Sequence, residues 1–123
     1  MTPIETVEAF IDAWNRMDMN AVIDMMSDDI IYHNIPWEPS EGKAAVKAGI
    51  DNFPPMEGCH WITHAIAANG NIVLTERTDD FTLAGGKKAS MRVMGTFEID
   101  DDGKIHRWRD YFDSAEFQRE FMA

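Results

Sequence analysis

Turn chemistry cuts the second half of the chain at near-even intervals: Asn69-Gly70, Gly85-Gly86 and Asp101-Asp102-Gly103. Glycine and asparagine tolerate the left-handed backbone of tight hairpins, so each cluster reads as a reversal between two strands. The stretches around these turns are β-branched and aromatic, and they predict strands over about 59–67, 71–83, 88–99 and 104–111. Strands joined in succession by hairpins form an antiparallel sheet. A sheet with one apolar face cannot stand alone, and something must cover it.

The first half supplies the cover. Thr2 and Glu5 make a capping box with Pro3 in the first turn, and Val7, Phe10, Ile11 and Trp14 follow at helical spacing. A shorter helix is predicted through Ala21, Val22, Met25 and Met26, ending at Ser27-Asp28-Asp29. Residues 30–34 read as a short strand stopped by Pro36. Ser40-Glu41-Gly42 leads into a third helix from Lys43 to about Asn52, which Pro54-Pro55 terminates. A last helix is expected from Ser114, its cap, to about Phe121. Helices first and strands after make an α+β chain. The expected architecture is a curved antiparallel or mixed sheet, wrapped by N-terminal helices into a cone with an internal pocket. With 123 residues and no linker, repeat or low-complexity segment, a single domain over residues 1–123 is expected.

Composition narrows the partners. Acidic residues number 22 against 11 basic ones, a net charge of −11 that phosphate backbones and anionic lipid heads would repel. Nucleic acid and membrane are therefore not expected as partners. Cys59 is the only cysteine, which rules out an intrachain disulfide and multi-thiolate metal sites. His33, His60, His64 and His106 show no metal-binding pattern; His60 and His64 are four apart but fall in a predicted strand. No metal is expected. The first fifteen residues carry Glu5, Glu8 and Asp12 rather than a basic, then apolar, leader, so a cytoplasmic location is expected.

Three strands carry polar residues where their pattern calls for apolar ones. Side chains alternate faces along a strand, so Val73, Thr75, Arg77, Asp79 and Phe81 share one face. An Arg and an Asp thus sit between hydrophobes. In the last strand Trp108, Asp110 and Phe112 share a face, which shields a carboxylate between aromatics and demands a cationic or hydrogen-bonding partner. Arg77 is the obvious one. On residues 30–34, Tyr32 and Asn34 share a face. Each anomaly alone fits an ordinary surface ion pair, worth under about 1 kcal/mol, or a strand-edge polar pair. Together the five could line one apolar pocket. There an ionised carboxylate could take a proton from a water held by Tyr and Asn, while a protonated one gives a proton to a leaving oxygen.

Tyr32-His33-Asn34-Ile35-Pro36, Thr75-Glu76-Arg77-Thr78-Asp79 and Trp108-Arg109-Asp110-Tyr111-Phe112-Asp113, in that order, resemble the limonene-1,2-epoxide hydrolases. That family belongs to the cone-shaped superfamily that includes nuclear transport factor 2, ketosteroid isomerase and the polyketide cyclases. The resemblance implies one-step addition of water to an epoxide, giving a vicinal diol without cofactor or metal. It implies Asp110 as general base, Tyr32 and Asn34 as the water's holders, Asp79 as general acid and Arg77 as the bridge between the aspartates. It also implies a homodimer formed through the outer side of the sheet. Phe81, Met91, Val93 and Phe112 are expected to line the substrate pocket, with bulky Phe81 narrowing it. A small apolar epoxide and water are the expected partners. Two other readings keep the fold: a ketosteroid-isomerase-like or cyclase-like enzyme, and a non-catalytic small-ligand-binding or dimerisation module. The isomerase reading leaves a guanidinium between two acids without evident use.

Overall fold

The computed structural model describes residues 1–122. The first helix, α1 (Pro3–Asn15), begins as its sequence dictates: Thr2 Oγ1 accepts from the Glu5 amide at 3.1 Å, and the Thr2 amide donates to Glu5 Oε1 at 2.8 Å. Its stripe of Val7, Phe10, Ile11 and Trp14 is buried against the sheet. Asn15, at its end, fastens the helix to a strand by two bonds. Its Nδ2 donates to the Trp61 carbonyl at 3.2 Å, and its Oδ1 accepts from the Trp61 amide at 2.7 Å. A short helix α2 (Met19–Asp24) follows, capped by Asp18, and gives way at once to strand β1 (Met26–Asn34). The helix thus stops earlier, and the strand starts earlier, than the sequence suggests. Met26 is buried as a strand residue in register with Ile105, and the sheet's claim on it outweighs helical spacing.

Ser40–Glu41, expected only to lead into a helix, forms a two-residue strand β2 against Ile31 and Tyr32. Helix α3 (Lys43–Asp51) then packs on β1. Strands β3 (Met56–Asn69), β4 (Ile72–Leu83), β5 (Lys88–Ile99) and β6 (Ile105–Tyr111) form the antiparallel run that the turns predict. β1 joins that run at its other end and lies parallel to β6. The result is one open, mixed six-stranded sheet in the order β2-β1-β6-β5-β4-β3. The parallel pair matters for the site, because it sets Asn34 opposite Asp110 and Tyr32 opposite Trp108.

The C-terminal segment differs from the expected regular helix. Asp113, rather than Ser114, caps α4 (Ser114–Phe117) by accepting from the Ala115 amide at 2.9 Å, and Gln118–Met122 continues in a wider π-type coil. β6 ends opposite Met94, so the first half of β5 lacks a strand on that side. Two glutamates take its place. Glu120 accepts from the Ser90 amide and Glu116 from the Arg92 amide, both at 2.8 Å. Strand-edge donors are thereby satisfied by side chains, and the segment is strapped across the sheet. No helix is long and apolar enough to cross a membrane among the described residues.

Candidate active site

Alternation along β4 sends Val73, Thr75, Arg77, Asp79 and Phe81 inward, and all five are buried. The Arg77 side chain is 0% exposed. Its Nε and Nη2 grip Asp79 as a fork, at 3.0 Å to Oδ1 and 2.9 Å to Oδ2. Nη2 also reaches Asp110 Oδ1 at 3.3 Å, and Nη1 donates to Thr75 Oγ1 at 3.0 Å. One planar guanidinium therefore holds two carboxylates that lie on different strands, a geometry that suits arginine's fixed fork and not lysine's point charge.

Asp110 has a second donor on the same oxygen. Trp108 Nε1 donates to its Oδ1 at 3.0 Å. Its other oxygen, Oδ2, lies 3.5 Å from the Tyr32 hydroxyl, which donates to Asn34 Oδ1 at 2.8 Å. Tyr32 itself stacks on Trp108, with centroids 3.8 Å apart and planes 14° from parallel. Oδ1 is thus committed to structural donors, and Oδ2 faces the polar pair from β1.

The charges of this cluster are unequal. Burial pushes the Asp79 carboxyl up from its ordinary 3.8 to about 6; Arg77 opposes that rise, and Asp110 and Asp80 add to it. Burial would by itself lower the Arg77 value, but the carboxylates of Asp110 and Asp79 outweigh it and keep the guanidinium charged. Burial, with Asp110 beside it, holds the Tyr32 phenol well above its ordinary range, so it stays neutral. A carboxyl raised toward neutral pH by burial, next to a second carboxyl held by donors, is an arrangement that can divide acid from base.

The five polar residues singled out by sequence, Tyr32, Asn34, Arg77, Asp79 and Asp110, therefore meet in one place. Four of them line a cavity of about 280 Å³, with Arg77 buried behind them. Phe81, Met91, Val93 and Phe112 line the same cavity. Sequence reasoning missed much of the remaining wall. Trp14 and Trp61 stack at 4.9 Å, and Trp61 also covers the guanidinium face, 4.7 Å from Arg77 Cζ. Trp37, from the loop after β1, packs on Phe112 and Phe117 at the mouth. The Trp108 bond to Asp110 had a signal, since the two share a strand face two residues apart. The Trp61 contact had none, because it depends on pairing between β3 and β4.

His33, set apart from the site by alternation, turns its Nε2 to the Trp37 carbonyl at 2.8 Å. His64 Nε2 meets Thr78 Oγ1 at 2.7 Å. Among the described residues, no group of three or more His, Cys, Asp or Glu side chains could hold a metal ion. Cys59 is half-buried, and its thiol is pushed up to about 12, chiefly by burial, so it is no ready nucleophile.

Comparison with known proteins places the chain as a whole. Residues 1–122 match the family model of the limonene-1,2-epoxide hydrolase catalytic domain. The epoxide hydrolase EphG of Mycobacterium tuberculosis is 36% identical over 107 residues, covering 87% of this chain and 70% of that protein. Among solved structures, a limonene-epoxide-hydrolase-like epoxide hydrolase of M. tuberculosis superposes with a TM-score of 0.83 at 32% identity. That match covers 98% of this chain and 89% of the other. A ketosteroid isomerase from Mycobacterium has the same TM-score of 0.83 at 20% identity, over 94% of this chain and 97% of its own, and shares the fold alone. An α+β cone of this kind serves several chemistries. The family match over nearly the whole chain decides among them: this chain belongs to the limonene-1,2-epoxide hydrolase family and is an epoxide hydrolase.

Proposed function

We propose that the chain adds water to a small, apolar epoxide in one step, by paired general acid and base, with no metal or organic cofactor. The observation that carries this reading is the buried guanidinium bridging two carboxylates, one of them raised to about 6. In the proposed step a water gives one hydrogen bond to Asp110 Oδ2 and one to the Tyr32 oxygen, and accepts one from the Asn34 amide nitrogen. Its remaining lone pair attacks an oxirane carbon as Asp110 takes the proton. The carbon–oxygen bond breaks, its electron pair goes to the ring oxygen, and Asp79 protonates that oxygen. The product is a vicinal diol. Asp110 then holds the proton that Asp79 lost, and exchange through solvent restores the pair. Ring strain favours opening, and simultaneous proton donation spares the leaving alkoxide.

The cavity of about 280 Å³ lies just under the ~300–1,000 Å³ of pockets for drug-sized ligands, which favours a small substrate. Its walls are mainly aromatic and aliphatic, so the substrate is uncharged. The outer sheet face exposes Leu74, Met94 and Tyr111, which supports the family's homodimer at that surface.

A panel of terpene, cycloalkene and styrene oxides assayed for diol tests the substrate class. A single turnover in ¹⁸O-water tests the step. Label is expected in the diol and not in the protein, whereas label entering an aspartate first means a covalent ester and overturns the mechanism. Tyr32→Phe and Asn34→Ala should each lose most of the rate. A binding module would tolerate both.

A further inference from the structure

Gly95 stands in the middle of β5, buried, where glycine is a poor choice for a strand. Backbone conformation does not explain it, since Gly95 is not among the five glycines with positive φ. Its surroundings do. Thr75, Gly95, Asp110 and Asn34 form one row across β4, β5, β6 and β1, each in register with the next. Asp79 belongs to β4 and Asp110 to β6, two strand spacings apart, or about 10 Å. A side chain on β4 reaches β6 only by crossing the residue between them on β5. At Gly95 that residue has no side chain. A Cβ placed there would overlap Arg77 Nη1 and sit 2.7 Å from Asp110 Oδ1 and 3.0 Å from Thr75 Oγ1. Thr75 completes the slot by accepting from Arg77 Nη1 at 3.0 Å and donating to the Gly95 carbonyl at 3.1 Å.

We propose that Gly95 and Thr75 are positioning residues for epoxide opening: the gap at Gly95 lets the guanidinium of Arg77 span β5, and the Thr75 hydroxyl fixes it there. The inference rests on the acid–base reading above and adds what that reading requires of the scaffold. Neither residue touches substrate; both act through Arg77. Asp79 faces Arg77 on its own strand, Asp110 from β6, Tyr32 from β1 and Cys59 from β3, with Asp80 next in the chain. Arg77 is the only cation in that set. Loosening it leaves burial less opposed, so the pH above which Asp79 loses its proton moves upward.

The experiment measures kcat, KM and the pH profile of diol formation for Gly95→Ala, Thr75→Val and Thr75→Ser. Gly95→Ala should lower kcat at least about tenfold with KM within about twofold, and should move the alkaline limb upward by about half a unit or more. Thr75→Val should do the same more weakly, and Thr75→Ser should recover most of the loss. If Gly95→Ala does not fold, the Thr75 pair decides. Wild-type kcat in the soluble variants overturns the proposal. So does a lower kcat with an unmoved pH limb, because a merely structural defect behaves that way. Asp79→Asn and Asp110→Asn, assayed alongside, separate the two ideas. Activity in those variants sinks the acid–base reading itself. Their inactivity beside a wild-type-like Gly95→Ala sinks only the slot.

Discussion

Two arginines on adjacent strands, Arg77 on β4 and Arg92 on β5, each grip carboxylates at similar distances. Arg77 lies 2.9 Å from Asp79 and 3.3 Å from Asp110, and Arg92 lies 2.7 Å from Glu116. They point to opposite faces of the sheet. The Arg77 side chain is 0% exposed and that of Arg92 82%. The carboxylates respond in opposite directions. Asp79 is driven up to about 6 because burial outweighs its cation, while hydrogen bonds from the Arg92 side chain and backbone pull Glu116 below its ordinary 4.5. The same pair of chemical groups therefore makes, in the proposed step, a proton donor on one face, and a fastener on the other. Surface cover of the carboxylates does not separate the two, since the Asp79 and Glu116 side chains are 5% and 9% exposed; the Arg77 cluster lies deep in the core, whereas Arg92 is open to water.

The comparison breaks most visibly if the inner carboxylates can be neutralised without cost. Asp110→Asn and Asp79→Asn keep the volume, though the amide at position 79 can accept only one of the two Arg77 bonds, and neither variant can exchange a proton in the proposed step. Each should lower diol formation by about 10²–10⁴-fold, the range typical of a lost general acid or base, with an unchanged circular dichroism spectrum. Retention of more than a tenth of the wild-type rate in either folded variant would make the buried cluster a structural tie like the outer one.

Exchanging arginine for lysine at both positions sharpens the contrast. Arg77→Lys loses the fork that serves two strands at once, and leaves buried carboxylates partly unpaired. A stability loss approaching the ~3–5 kcal/mol of a broken buried ion pair is expected, with activity falling alongside. Arg92→Lys should leave the melting curve nearly where it was, since the charge persists and water surrounds it. Equal losses at both sites would show that burial does not set the difference.

The inner pair also predicts a sign in the pH profile. The proposed step needs Asp79 protonated, and its folded value of about 6 means that kcat/KM should fall about tenfold per unit as pH rises beyond it. Stability moves in the same direction. The folded Asp79 holds its proton above the ordinary 3.8, so folding loses part of its free energy as pH rises from about 4 to 6, with no further loss above. Melting curves of the wild type against Asp79→Asn across that window isolate the contribution.

Much of the inner face was legible from sequence because strand alternation is a strict rule. Arg77 and Asp79 flanked by Val73 and Phe81, and Asp110 between Trp108 and Phe112, share faces with hydrophobes, and charges on such faces call for a partner. The hairpin glycines gave the order of β3 to β6. Contacts set by non-local register were not legible. The parallel pairing of β1 with β6 places Asn34 beside Asp110, yet no local signal specifies it. Met26 looked helical because its spacing was helical, and only the sheet made it a strand residue. No local pattern marks Glu116 and Glu120 as partners for a strand edge. Their role appears only once β6 is seen to end early and leave the amides of Ser90 and Arg92 free to be taken.

That strap offers the smallest and most discriminating change. Glu116→Gln keeps an oxygen to accept from the Arg92 amide and removes the charge that holds the Arg92 side chain. Near neutral pH a drop of a few degrees in melting temperature is expected. The wild type's advantage should shrink as pH falls below 4.5 and vanish once Glu116 is protonated in the folded state, because its carboxyl is stabilised as the anion. This is the reverse of the sign expected at Asp79. In catalysis the effect should fall on KM rather than kcat, since α4 carries Phe117 to the cavity wall while Asp79 and Asp110 stay fixed on their strands. A fall in kcat with unchanged KM would mean that the outer pair reaches the proton chemistry, and that the two arginines are not separable after all.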